Sequence, residues 1–263
     1  TWNHEPKITC ERNGFLSAWW IESDNLSPDG WLSLFLNGQE MVCSVDDLKI
    51  ANEEIYNYMG YKSSVPEAFI LDFIRTLKEE ALSICCPHVG FRFLTGEKMD
   101  HSHLRVGECL LKTAPRITVA LRDADFYVMM LSTVGEELDA WITEKRNSGD
   151  VMVAYIADIL GSVFAEAVVS YGQALLERLA REWDLCVSNA YSPGYCDWNV
   201  SEQQLFFSML PVGFCGVTLT DSCMMLPIKS VSSLLAVGKN TEKKPYGCAI
   251  CQNKSCIKRK DEM

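Results

Sequence analysis

"VMVAYIADILGSVFAEAVVSYGQALLERLAREW", residues 151–183, is the stretch around which the rest of the chain has to be arranged. Val153, Ile156, Leu160, Val163, Phe164, Ala167, Tyr171 and Leu175 recur three and four residues apart, the period of one helical face, so the segment reads as a single long helix. A helix with so long an apolar stripe needs a broad surface to cover, and the flanking sequence supplies strands. "HVGFRFL" (88–94) and "DFYVMMLSTVG" (125–135) are short, β-branched or aromatic, and bounded by turn residues; "GVTLTDSCMML" (216–226) and "SVSSLLAVGK" (230–239) read the same way.

Working outward, "WLSLFLNGQEMVC" (31–43) alternates apolar residues on either side of Asn37-Gly38, which predicts a β-hairpin. "SVDDLKIANEEIYNYMGY" (44–61) predicts a helix capped by Ser44 and ended at Gly60. Further helices are expected from Pro66 to Cys85, over 136–147, and over "VSEQQLFFSML" (200–210) with Ser201 as cap. Helices and strands mix without regular βαβ alternation and without an internal repeat. The expected class is therefore α+β, a mostly antiparallel sheet with the long central helix packed on it. No Pro/Gly/Ser-rich linker divides the chain, so one domain is expected, between an N-terminal extension (1–44) carrying the hairpin and a tail (241–263).

The 263 residues are 48% hydrophobic, enough to fill a core, and carry a formal net charge of -11. That balance argues against nucleic acid, which needs a clustered basic face. Asp158 and Glu166 interrupt the most apolar stretch, so no membrane span of roughly 20 residues is expected. "TWNHEPKITCERNG" lacks the apolar run of a signal peptide, and a cytoplasmic location is expected.

Twelve cysteines are many for such a location. Cys43, Cys109, Cys186, Cys215 and Cys223 stand singly among apolar residues and read as small buried hydrophobes. Cys248, Cys251 and Cys256 are different: their C-x2-C-x4-C spacing lets three thiolates turn onto one ion, a zinc or an iron-sulfur cluster, with Cys196, Cys223, Cys10 or His88 as a fourth ligand. A reduced tail without metal is the alternative. The same tail gathers Lys239, Lys243, Lys244, Lys254, Lys258, Arg259 and Lys260, which could steer an anion or form a solvated end. Of "CCPH" (85–88), at least one cysteine is expected to be buried. His101 and His103 read as surface residues with no carboxylate at ligand spacing. Phosphate-loop, dinucleotide-binding and hydrolase motifs are absent. Glu166 points about 120° from the centre of the long helix's apolar stripe, by a period of roughly 100° per residue, so it lines a groove or meets solvent.

"NAYSPGYCDWNVSEQQ" (189–204) is a stiff turn set by Pro193 and Gly194 that presents Tyr191 and Tyr195 and leads into a helix. Its core "YSPGYCDW", followed by "SEQQLFF", "LTDS" (219–222) and the proline and serine-rich strand of 227–233, resembles the activation domain of cobalamin-dependent methionine synthase, especially stand-alone relatives. Upstream, "STVG" (132–135), "GD" (149–150) and "ADILGSVFAEAVV" (157–169) match that family's order and spacing, so the resemblance covers residues 45–240.

The resemblance implies a single α+β domain with a twisted antiparallel sheet that binds S-adenosylmethionine. It also implies help with reductive remethylation of cob(II)alamin held by a partner, either a cobalamin-carrying protein or the core of a methionine synthase, with a flavodoxin-type electron donor. By it, Tyr191, Ser192, Pro193, Gly194 and Tyr195 form the ligand platform, with an aromatic face toward sulfonium or adenine. Glu166 accepts from the ligand's amino group or a bridging water, and Tyr246 approaches the ribose. One departure stands out: the family's arginine, five residues before the second tyrosine, is Ala190 here. Losing a guanidinium-carboxylate contact costs on the order of 1.5–3 kcal/mol. Two other functions are carried beside this one: an iron-sulfur redox activator acting through the cysteine tail, and a non-catalytic module that binds a corrinoid or its carrier.

Overall fold

The structure, a computed structural model, describes residues 38–61 and 64–244. In chain order its strands are β1 (Gln39–Val42), β2 (His88–Leu94), β3 (Gly96–Lys98), β4 (His103–Val106), β5 (Cys109–Lys112), β6 (Phe126–Thr133), β7 (Cys186–Val187), β8 (Thr218–Leu219), β9 (Met225–Leu226) and β10 (Ser230–Gly238). Its α-helices are α1 (Asn52–Tyr58), α2 (Ala68–Ile84), α3 (Pro115–Ala120), α4 (Glu136–Asn147), α5 (Val151–Glu182) and α6 (Glu202–Ser208). The central sheet has the order β1-β2-β6-β10-β7 and is antiparallel throughout. A three-stranded sheet (β3-β4-β5) and the β8-β9 pair complete the strands. The α+β class and the long helix against an antiparallel sheet are as expected.

Both faces of the sheet are covered. On one, Val89, Phe91 and Phe93 of β2, Val128 and Met130 of β6, and Leu235 and Val237 of β10 form a core with α5, α2 and α4. On the other, Tyr127, Met129 and Leu131 alternate with Leu234 and Ala236 against Leu104, Val106 and Leu111 of the small sheet, Ile117 of α3 and Phe206 of α6. Strands buried on both faces lose the apolar-polar alternation, which is why Phe126–Leu131 of β6 and Leu234–Val237 of β10 read as apolar runs.

The side chain of Asp150 caps α5 by accepting from Met152 N (2.9 Å) and Val153 N (3.1 Å). By length and composition alone α5 could cross a membrane, so Asp158 and Glu166 do not exclude this as the sequence reading held. Its burial against sheet and helices identifies a core helix instead: Ile156, Leu160, Val163, Phe164, Val168 and Leu175 are all covered. Gly172 lets it sit close to the sheet, since a Cβ there would lie 2.7 Å from Val89 Cγ2 and 2.9 Å from Met130 Sδ. Lys229, just before β10, is pinned to the same helix, with Nζ donating to Asp158 O (3.0 Å) and Ser162 Oγ (2.9 Å) and pairing with Asp158 Oδ1 (3.0 Å). Asp158 thus serves the fold.

Two local expectations change, and a third falls partly outside the described residues. The helix expected over 44–60 is broken: Ser44 caps a 3-10 turn (Val45–Asp47), Leu48 and Ala51 are extended, and α1 starts at Asn52. Lys78 fastens the break by donating to Ile50 O (3.0 Å) and Asn52 Oδ1 (2.8 Å). The strand expected over 216–226 is instead the short β8-β9 pair, closed by a turn in which Thr220 N donates to Met224 O (2.9 Å). Of the hairpin at 31–43, β1 pairs with β2, and residues 31–37 lie outside the described residues. The small sheet β3-β5 and helix α3 were not foreseen.

Because the space at Gly172 is already filled, Gly172→Val should overpack the helix-sheet contact and lower unfolding stability by about 1–3 kcal/mol. Chemical denaturation would read this as a lower midpoint at unchanged slope.

Candidate functional site

With both faces of the sheet covered, its open places are edges and ends. After β7 the chain continues along β10: Ser188 N donates to Ala236 O (2.9 Å), Ser188 Oγ accepts from Ala236 N (2.9 Å), and Tyr191 and Leu234 exchange backbone bonds of 3.0 and 2.7 Å. The tyrosine turn then leaves this edge. Gly194, at φ +93°, takes a conformation that glycine adopts freely, and Cys196 and Asp197 are left-handed as well. Tyr195 N donates to Ser192 O (3.1 Å), Gly194 N to Trp198 O (2.8 Å) and Trp198 N to Tyr195 O (2.9 Å). The turn consumes these N–H groups and carbonyls internally, which braces it from within. Trp198, 2% exposed, anchors it in the second core.

The two tyrosines part company. Tyr195 is 44% exposed, whereas Tyr191 is buried in the second core, and burial raises its phenol above the ordinary pKa. Pro193 is buried, and Ser192 Oγ lies 3.2 Å from Ser233 Oγ of β10. Ala190 faces the opposite core, on the α5 side. Glu166 is half-buried on α5. Gln173, seven residues on and hence on nearly the same helical face about 10 Å further along, donates to Ser188 O (3.2 Å). Glu166 therefore faces the side of the edge that Ala190 faces.

From the other side comes Arg116 of α3, whose guanidinium pairs with Asp197 in the turn. No sequence pattern singled it out. The described chain closes on this region too: Asn189 Nδ2 donates to the Lys244 carbonyl, and Lys243 Nζ lies 2.5 Å from Glu177 Oε1 of α5. Tyr246, Cys248, Cys251 and Cys256 lie outside the described residues. Among the described residues no group of three or more His, Cys, Asp or Glu side chains could hold a metal ion.

The remaining candidates resolve individually. Cys85 and Cys86 are both buried, and burial lowers the pKa of His88 despite Glu40 and Glu137 nearby. His103 does have a carboxylate: its Nδ1 lies 2.8 Å from Asp100 Oδ2. Hydrogen bonds from Ser102 N and from His103 hold Asp100 down at about 2. Cys43 and Cys215 are buried as expected, but Cys186 is exposed and Cys109 and Cys223 are half-buried. Burial pushes the Cys43 and Cys85 thiols up to about 12 and Cys215 well above its ordinary value. An open groove lined by Val45, Leu48, Ile50, Lys78 and Leu82 lies between the first 3-10 turn and α2, away from the tyrosine turn.

A sequence profile described as "Vitamin B12 dependent methionine synthase, activation domain" matches residues 118–258, more than half of the chain. Among solved structures, a crystal structure of the MetH reactivation domain bound to AdoHcy is similar, with a TM-score of 0.55 and 17% sequence identity. The match covers 81% of this chain and 82% of that one, and at this identity it speaks for the fold. No curated protein matches in sequence.

The buried thiols carry a pH prediction. A pKa of about 12 at Cys43 leaves about one thiolate in ten thousand at pH 8, so native alkylation followed by mass spectrometry should modify Cys186 and spare Cys43 and Cys85. Because these folded-state pKa values lie above the unfolded value near 9, their stabilising contribution is complete below that pH. It is lost as pH rises from about 9 toward 12, which thermal melts across that window would register.

Proposed function

The chain belongs to the activation-domain family of vitamin B12-dependent methionine synthase, and from that premise we propose that it binds S-adenosylmethionine at the tyrosine turn and assists reductive remethylation of cob(II)alamin carried by a corrinoid protein or a short methionine synthase. The observation that carries the reading is the rigid turn at the sheet's open edge, with Tyr195 exposed beside it. The likeness to a reactivation domain whose structure holds AdoHcy supports it. The division that goes with this reading is an extension over 1–44, whose β1 adds an edge strand to the sheet, the activation-like domain over 45–240, and the tail over 241–263.

In this reading the corrinoid supplies the hard chemistry: one-electron reduction to cob(I)alamin, then attack on the sulfonium methyl with S-adenosylhomocysteine leaving. Reduction alone is uphill, and methyl transfer draws it forward. The chain's own part is positioning. Tyr195 offers a ring face to the sulfonium or adenine. Ser192, Pro193 and Gly194 shape the wall behind it, while Tyr191 fixes that wall to β10. Glu166 accepts from the amino group, or from a water that bridges to it, across the α5 side, and Tyr246 approaches the ribose. A flavodoxin-type protein is the electron donor, and the setting is cytoplasmic.

A second reading is favoured by the bond between Asn189 and Lys244, which brings the start of the C-terminal tail beside the turn. In it Cys248, Cys251 and Cys256 hold zinc or an iron-sulfur cluster, the latter passing an electron toward cobalt. Iron and sulfide both absent from anaerobically purified protein would eliminate the cluster.

Calorimetric titration with S-adenosylmethionine should give saturable binding that Tyr195→Ala weakens by about tenfold. The protein should also support remethylation when a corrinoid partner and a reductant are present. No saturation up to millimolar ligand would refute the proposal. It would favour instead a module that grips its corrinoid partner equally well with and without S-adenosylmethionine.

A further inference from the structure

Position 190 carries no charge, yet a cation stands on the other side of the same turn. Arg116, in α3, has a side chain only 23% exposed, and its guanidinium pairs through Nη2 with Asp197, which is itself about half exposed. Its Nη1 is buried and has no hydrogen-bond partner, and neither has the buried Trp198 Nε1, one residue beyond Asp197. Buried donors without acceptors are rare in folded proteins because each forfeits its hydration. Here two of them, one on a permanent cation, belong to residues of the same small region: Arg116, paired with Asp197, and Trp198, the next residue along. Donors without acceptors select an anion. A guanidinium held by its neighbours presents its N–H groups in the fork that fits a carboxylate.

We propose that Arg116 is the carboxylate-binding residue for an S-adenosyl amino acid at this turn, doing from the α3 side what Ala190 cannot do from the α5 side, with the Asp197 carboxylate as its placeholder in the free protein. This rests on the reading that the turn binds such a ligand. Asp197 sits at the exposed lip of the turn, in a left-handed conformation at φ +63°, so it can move outward without disturbing Trp198, whose backbone N–H bonds the turn from within. When the ligand's carboxylate replaces it, one anion is exchanged for another. Affinity then depends on the difference between two contacts to the same guanidinium.

The test compares S-adenosylhomocysteine with its decarboxylated analogue, S-adenosyl-3-thiopropylamine, by calorimetry on the full chain. The wild-type protein should prefer the carboxylate-bearing compound by about tenfold to a hundredfold. Arg116→Met should collapse that preference to within about twofold while the decarboxylated compound binds as before, which also certifies the fold of the variant. Arg116→Lys should keep an intermediate preference. Asp197→Asn, which removes the competing charge, should tighten S-adenosylhomocysteine several-fold and leave the analogue unchanged. A preference that persists in Arg116→Met, or an affinity that falls in Asp197→Asn, overturns the assignment and leaves the binding reading standing. A wild-type protein that binds both compounds equally overturns it without any variant. Failure of both compounds to bind the wild-type protein ends the binding reading and this inference together.

Discussion

The pairing of β10 is the constraint on which the rest depends. On one side it is matched to β6 over eight consecutive residues, from Ser230 with Thr133 to Val237 with Phe126. On the other it has only Cys186 and Val187, the bond from Ser188, and the single bridge between Tyr191 and Leu234. The first four residues of the strand therefore have no neighbouring strand on that second side, and that is where the serines are concentrated. Ser230 bonds Thr133 Oγ1, Ser232 bonds Gln203, and Ser233 bonds Ser192. On the side that β7 leaves open, the hydroxyls of Ser232 and Ser233 supply the links, and the tyrosine turn hangs from the point where strand pairing ends.

A sheet covered on both faces leaves a small molecule little choice of place. α5 and α2 close one face, and the small sheet with α3 and α6 closes the other. Edges remain, and the β7 edge is the one whose last partner leaves it early. The bound geometry of such a site comes from where backbone pairing ends, a property of topology more than of any side chain. That explains how a chain 17% identical to a reactivation domain keeps its fold across four-fifths of its length.

Legibility followed the strength of the local signal. α5 was readable to within a residue because thirty-two residues of 3.6 period leave no competing pattern, and α4 because Gly135 and Gly149 bracket it. The break at Leu48–Ala51 was not readable. Its causes, burial of Leu48 and the reach of Lys78 to the Ile50 carbonyl, come from α2 nearly thirty residues away. The small sheet escaped because its strands are three or four residues long and earn their burial only against Tyr127 on the reverse of β6. At the site, Pro193 and Gly194 announced a turn and the order of motifs announced a family. That Tyr191 turns inward while Tyr195 turns outward was fixed by the bridge to Leu234, which no local pattern encodes. Arg116 was invisible for the same reason, since eighty-one residues separate it from the carboxylate it meets.

Under the proposed function the work of this chain is positioning. The deepest thiols are held in their neutral form by burial, and the ionised pairs of the body are engaged in structure: Lys229 with Asp158 at the start of β10, and Lys145 with Glu80 between α2 and α4. In the proposed reaction the methyl group would sit on a sulfonium, which is already activated and calls for no general base. What such a reaction requires is that donor and acceptor share one line and that water and competing nucleophiles stay out of it. In that reading a turn braced by its own hydrogen bonds, at the open edge of a doubly covered sheet, would meet the requirement with backbone geometry, and side chains such as Arg116 would add the charge that position 190 lacks.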